Sequence, residues 1–174
     1  MTDNFEHCLE HVLKSEGGYI HHVSDPGGRT NLGVTQRVWE AYVGKKVGEI
    51  EMRNLTPDMV KPLYRAQYWN RVKGDELPAG LDLSVFDCAV NSGVYRAVIF
   101  LQRIIKAKED GVIGNQTLFM VKNNDPEELI RKYAERRRFF VRGLYTYATF
   151  GKGWEARIAR VEADSLALRG EVSL

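Results

Sequence analysis

The strongest constraint on the fold sits near the N-terminus, where a regular helical pattern is cut off by glycine. Phe5, Cys8, Leu9, Val12 and Leu13 recur at the three-and-four spacing of one buried helix face, and the pattern stops at Glu16-Gly17-Gly18-Tyr19. Asn4 suits the cap of that helix. Beyond the glycines, Tyr19 to Val23 is rich in β-branched and aromatic side chains and runs into the turn signal Asp25-Pro26-Gly27-Gly28. The chain must therefore leave the helix and reverse, and a small hairpin or extended loop is expected, with Thr30 to Gly33 as its return.

The remainder reads as helix after helix. Thr35 caps one through Val38, Trp39, Tyr42 and Val43, stopped by Gly44. Thr56-Pro57-Asp58 opens another through Val60, Leu63, Tyr64, Gln67 and Tyr68. After a loop over residues 74–80, Leu83, Phe86, Asp87, Val90 and Asn91 trace a core helix closed by Gly93, on which Asp87 and Asn91 lie one turn apart as a buried or cleft-facing polar stripe. Tyr95 to Ile105 continues the pattern until the break over residues 108–114. A short helix follows from Thr117 to Lys122, and Asp125-Pro126-Glu127-Glu128 starts a long basic one whose Arg131, Lys132, Arg136, Arg137, Arg138 and Arg142 read first as a solvated face. The last helix opens near Gly153-Trp154. The expectation is a mainly α chain with one small β-hairpin.

Composition removes several functions. A chain of 174 residues can bury a core without metal or disulfide staples, as one domain or two subdomains. Its 25 basic and 23 acidic residues leave a charge of +2, too little to argue for nucleic acid. Cys8 and Cys88 fall in apolar helical patterns and read as buried free thiols. No apolar run approaches a membrane span, and the first residues lack the parts of a signal peptide. The expected product is soluble and made in the cytoplasm, with another component carrying it further.

The chemistry centres on two carboxylates. Cleavage of a glycosidic bond needs a protonated acid at the leaving oxygen and a second group that stabilises the cationic transition state, activates water or attacks. Glu16, ending a helix, and Asp25, on the loop after it, offer such a pair across a glycine-lined gap, with Thr30 or Thr35 to hold water near Asp25. Taken singly, Glu16 also fits a solvated residue at a helix stop, and Asp25 the anchor of its turn. Only the pair points to chemistry.

The string Ser15-Glu16-Gly17-Gly18-Tyr19, with Asp25-Pro26-Gly27-Gly28-Arg29-Thr30-Asn31-Leu32-Gly33-Val34-Thr35, resembles the N-terminal signature of glycoside hydrolase family 108 muramidases, found among phage endolysins and bacterial relatives. The likeness continues through Tyr68-Trp69, residues 74–82 and Val85-Phe86-Asp87-Cys88-Ala89-Val90-Asn91-Ser92-Gly93. Residues 110–118 and Gly153-Trp154-Glu155-Ala156-Arg157 are similar to the predicted peptidoglycan-binding region that follows in such proteins, with Asn115 where proline is common.

The resemblance implies a lysozyme-like α+β fold with a catalytic half over 1–93 and a C-terminal helical half over 94–174, packed as one unit. It implies cleavage between N-acetylmuramic acid and N-acetylglucosamine, with Glu16 as general acid, Asp25 its partner and Thr30 the water-positioning hydroxyl. Tyr19, Tyr68, Trp69 and Asn91 are candidate sugar contacts, although for each aromatic taken singly core packing is the better reading. No metal or organic cofactor is expected. The expected partner is the peptidoglycan polymer, without nucleic acid or stable membrane insertion, and the chain is expected to act as a monomer at the periplasm or wall after release by a holin or another exporter. A lytic transglycosylase and a non-catalytic wall-binding module stand as alternatives. A zinc site from His7, His11, His21, His22 and Asp25 lacks the glutamate of a zinc-protease helix.

Overall fold

Helix α1 (Phe5–Glu16) forms over the stretch its periodicity marks, burying Phe5, Cys8, Leu9 and Val12. The computed structural model describes residues 4–21 and 28–172. Its contacts divide into two units, Leu9–Gln67 and a second made of Met1–Cys8 with Tyr68–Leu174. Helix α1 thus starts in one and ends in the other. The helix over 81–92 shares a unit with those that follow it.

The unit Leu9–Gln67 is built around a three-stranded antiparallel sheet, β1 (Ile20–His21), β2 (Arg29–Asn31) and β3 (Val34–Thr35), in that order. Ile20 pairs with Thr30, and Asn31 with Val34. The expected hairpin is present, and β3 adds a strand to it. His22, Val23 and the Asp25-Pro26-Gly27 turn lie outside the described residues. Between β2 and β3 the two-residue loop Leu32-Gly33 has φ of 51° and 74°, the positive pair that marks a type I′ hairpin turn.

Helix α2 (Gln36–Val43) starts where Thr35 Oγ1 accepts the Val38 N–H at 3.3 Å, and it stops at Gly44. Helix α3 (Glu49–Arg53) has no counterpart in the sequence reading: five residues are too few to show a period. It is held by its buried Met52 and by the buried Asn31, whose Nδ2 donates to the Met52 carbonyl at 2.9 Å. Helix α4 (Pro57–Tyr64) begins as expected, with Thr56 Oγ1 accepting the Met59 N–H, and runs on into a π-helical turn over Arg65–Trp69.

The other unit stacks α5 (Leu81–Ser92), α6 (Val94–Ile104), α7 (Asn115–Lys122), α8 (Pro126–Arg142) and α9 (Tyr147–Val172). Every residue of α5 from Leu81 to Ala89 is buried, so it is a core helix on all sides. Its Val85 and Cys88 join Leu101, Val121, Ile130 and Tyr133 in one apolar cluster. Both cysteines are free and buried, as expected. The polar stripe resolves into an ionic core: Asp87, 1% exposed, accepts from Arg137 at 2.8 Å and from Arg157 at 2.8 Å, tying α5 to α8 and α9.

The basic helix α8 is therefore not simply a solvated face. Arg137 is buried, and the Arg136 guanidinium lies over the rings of Phe139 and Phe100 at 4.9 and 5.3 Å. Helix α9 begins before Gly153. Ile158 packs into a cluster with Ala134 and Val141, and Tyr147 and Trp154 lie against it; this packing overrides the roughly 1 kcal/mol that each interior glycine costs a helix. Among the described residues no helix is long and apolar enough to cross a membrane. Nearly continuous helix with one small sheet is the mainly α, lysozyme-like α+β class that was expected.

Candidate active site

Glu16 is the last residue of α1, and the next residue, Gly17, takes φ of 76°, which side-chain-bearing residues rarely adopt. The chain can therefore turn out of the helix directly behind the carboxyl group. The stem of Glu16 lies against the β2–β3 turn: a Cβ placed on Gly33 would come within 2.9 Å of both Cβ and Cγ of Glu16. The glycine is required there by contact as well as by its positive φ.

Thr30 is the middle residue of β2, paired with Ile20 on one side and Thr35 on the other, with its side chain partly exposed. The two threonines are separated by their partners. The Thr35 hydroxyl accepts from α2 as its cap, so Thr30 is the one not committed to a helix end. Asp25 lies outside the described residues.

Tyr19 is partly buried, with the Arg53 guanidinium 4.1 Å from its ring centroid. Its hydroxyl is buried and has no hydrogen-bond partner among the described residues. A cation therefore covers one face of this ring.

Three further sequence-predicted contacts belong to the other unit. Tyr68 is half-buried and packs on the apolar cluster of α5, α6 and α8. Trp69 is fully buried between Phe5 and Phe86, at ring-centroid distances of 5.4 and 5.3 Å, and its Nε1 donates to Asp75 Oδ1 at 2.9 Å. That ring has no open face for a sugar, which corrects its assignment to a packing residue. Asn91 is exposed at the end of α5, where its Oδ1 accepts from Ser92 Oγ at 3.1 Å. The similar C-terminal block is braced by buried Gln102, whose Oε1 accepts the N–H groups of Asp110 and Gly111 and whose Nε2 donates to Asp110 and to the Val112 carbonyl.

Asp82 falls at the end of the 74–82 stretch of the sequence, and the structure gives it a role. Its Oδ1 accepts from the N–H groups of Gly80 and Leu83 at 2.8 and 2.7 Å, and its Oδ2 from Asn4 Nδ2 at 3.0 Å. Burial pushes this carboxyl up to about 6, against the opposing pull of those hydrogen bonds and of His7. The only hint in the sequence is an acid in the first helical turn directly after Gly80.

A carboxyl raised in the folded state makes stability fall as pH rises, because the native protein then holds the proton more tightly than the unfolded chain. From an ordinary value of 3.8 to about 6, the contribution of Asp82 is expected to drop by about 3 kcal/mol across pH 4–6. Urea melts of wild type and Asp82→Asn at each pH isolate it: the wild-type advantage should shrink by that amount as pH rises. A difference independent of pH would refute the assignment.

Among the described residues no three His, Cys, Asp or Glu side chains converge as metal ligands. Residues 9–93 match the family model of glycosyl hydrolase 108. Over its full length the chain is similar to the solved structure of SagA from Brucella abortus, with 40% identity, all of each chain covered and a TM-score of 0.87. No curated protein matches it.

Proposed function

We propose, from the premise that this chain belongs to the glycosyl hydrolase 108 family and is thus a glycoside hydrolase, that it cleaves peptidoglycan between N-acetylmuramic acid and N-acetylglucosamine. The observation that carries the reading is the placement of Glu16 at the C-terminal end of α1, backed by the glycine turn of the sheet that bears Thr30. In this reading Glu16 protonates the leaving oxygen. Asp25 supports the developing positive charge or activates water, and the Thr30 hydroxyl holds that water.

Residues 1–93 act as the catalytic half and 94–174 as the half that contacts the wall, with Tyr19, Tyr68 and Asn91 touching sugar. The enzyme works as a monomer on wall polymer during lysis or remodelling, after a holin or exporter has given it access.

Two results test the reading. Mass spectrometry of digested peptidoglycan should find reducing N-acetylmuramic acid ends; 1,6-anhydromuramic ends would instead identify a lytic transglycosylase. Asp25→Asn should lower the initial rate more than Thr30→Ala, and the reverse order would contradict the division of roles.

A further inference from the structure

We infer that Tyr64 is a positioning residue for Glu16, acting through the strained Leu32-Gly33 turn. The inference rests on Glu16 being the acid of the proposed reaction. Tyr64, 1% exposed at the end of α4, donates its hydroxyl to the Leu32 carbonyl at 2.8 Å. Leu32 holds φ of 51°, a left-handed conformation that costs a leucine roughly 1–2 kcal/mol. Next to it, a Cβ on Gly33 would come 2.5 Å from the Tyr64 hydroxyl and 2.9 Å from Cβ and Cγ of Glu16. Three groups therefore meet at one backbone atom: the hydroxyl from α4, the turn of the sheet and the stem of the acid from α1.

Strain of this kind persists only where surrounding structure over-determines it, and it concentrates at functional sites. A hairpin needing only a turn would place Asn or Gly at the first position. Here a leucine is held in place by a buried tyrosine, and what the turn then presents to Glu16 is the bare Cα of Gly33. The Glu16 stem lies so close that no Cβ fits between, so a shift of the turn would change the space open to the carboxyl group. The hydroxyl of Tyr64 holds the backbone of the turn against which the acid's stem lies.

Tyr64→Phe keeps the ring and deletes the bond to Leu32. The expected result is a fall in kcat of about threefold to tenfold, the scale of one hydrogen bond, with KM unchanged. Adding Leu32→Gly removes the cost of positive φ, so the turn keeps its shape without the clamp, and kcat should recover in the double variant. Asp125→Ala, which deletes the cap of α8, serves as the control: it should lower the melting temperature and leave kcat alone.

The inference is overturned if Tyr64→Phe turns over at the wild-type rate, if its loss is confined to KM, or if the folded double variant recovers nothing. Should Tyr64→Phe not fold, Gly33→Ala is read the same way and should lose kcat more than tenfold, with a wild-type kcat counting against the inference. Glu16→Gln run alongside separates the two levels. Wild-type activity in Glu16→Gln removes the underlying reading, whereas an inactive Glu16→Gln beside a fully active Tyr64→Phe removes only the positioning role.

Discussion

Replacing Glu16 with glutamine is expected to slow release of soluble sugar from a peptidoglycan suspension by about 10²–10⁴-fold, the usual contribution of a positioned general acid. Glutamine matches glutamate in shape, so the contacts of the Glu16 stem with Gly33 persist and only the transferable proton is lost. Circular dichroism and the melting temperature should stay at wild-type values. The deficit should lie in kcat, because the proton is delivered only as the glycosidic bond breaks. A folded Glu16→Gln protein that clears the suspension at the normal rate would move the acid elsewhere on the chain.

The largest effect on stability is expected at Asp87. Burial pushes its carboxyl up, but the guanidinium groups of Arg137 and Arg157 outweigh burial and hold it below the usual carboxylate range. Asp87→Ala would take the carboxylate away from the buried Arg137 and the largely covered Arg157, whose side chains are 5% and 14% exposed. Removing one partner of a buried pair costs about 3–5 kcal/mol, so the urea midpoint should fall steeply. The pH dependence runs opposite to that of Asp82: a lowered carboxyl gives stability above its unfolded value, lost as pH falls through its folded one. An Asp87→Ala protein within 1 kcal/mol of wild type would mean that the arginines find water or other partners. Converting Arg137 to Met in the same background should recover part of the loss by removing one orphaned charge.

The helices were legible where side chains near in sequence decide them. Thr35, Thr56 and Asp125 cap the elements that their types and positions announced, because a cap reports on N–H groups two or three residues away. The hairpin was half legible. Asn31-Leu32-Gly33-Val34 carries glycine at only one of the two positions where a type I′ turn needs positive φ, so β3 was hidden behind a leucine that Tyr64 holds from 32 residues away. Similarly, nothing local separates Arg137 from its neighbours on α8; only the position of Asp87, 50 residues earlier, decides which arginine turns inward. Trp69 stands in the sequence as a candidate sugar contact beside the better packing reading, because an aromatic residue next to a loop looks the same whether its ring faces solvent or lies, as here, between Phe5 and Phe86. Of the proposed site, Glu16, Asp25 and a threonine at 30 or 35 are readable from residue type and spacing, and the family resemblance selects Thr30, whereas the Tyr64 clamp depends on a contact between distant segments.

The division of helix α1 has a consequence for how the molecule is made. Its first turn belongs to the unit completed by Tyr68–Leu174, and Asn4 reaches its partner Asp82 across 78 residues of sequence. Synthesis at about 5–20 residues per second puts roughly 10–30 s between the emergence of that first turn and the arrival of the last helix. For this interval Phe5 and Cys8 have none of the later residues to bury them, and the helix that carries Glu16 is anchored only along the part lying in its own unit. A nascent chain thus holds the segment with Glu16, the proposed acid, early and the residues that bury its first turn late, so docking of that turn waits on the later helices.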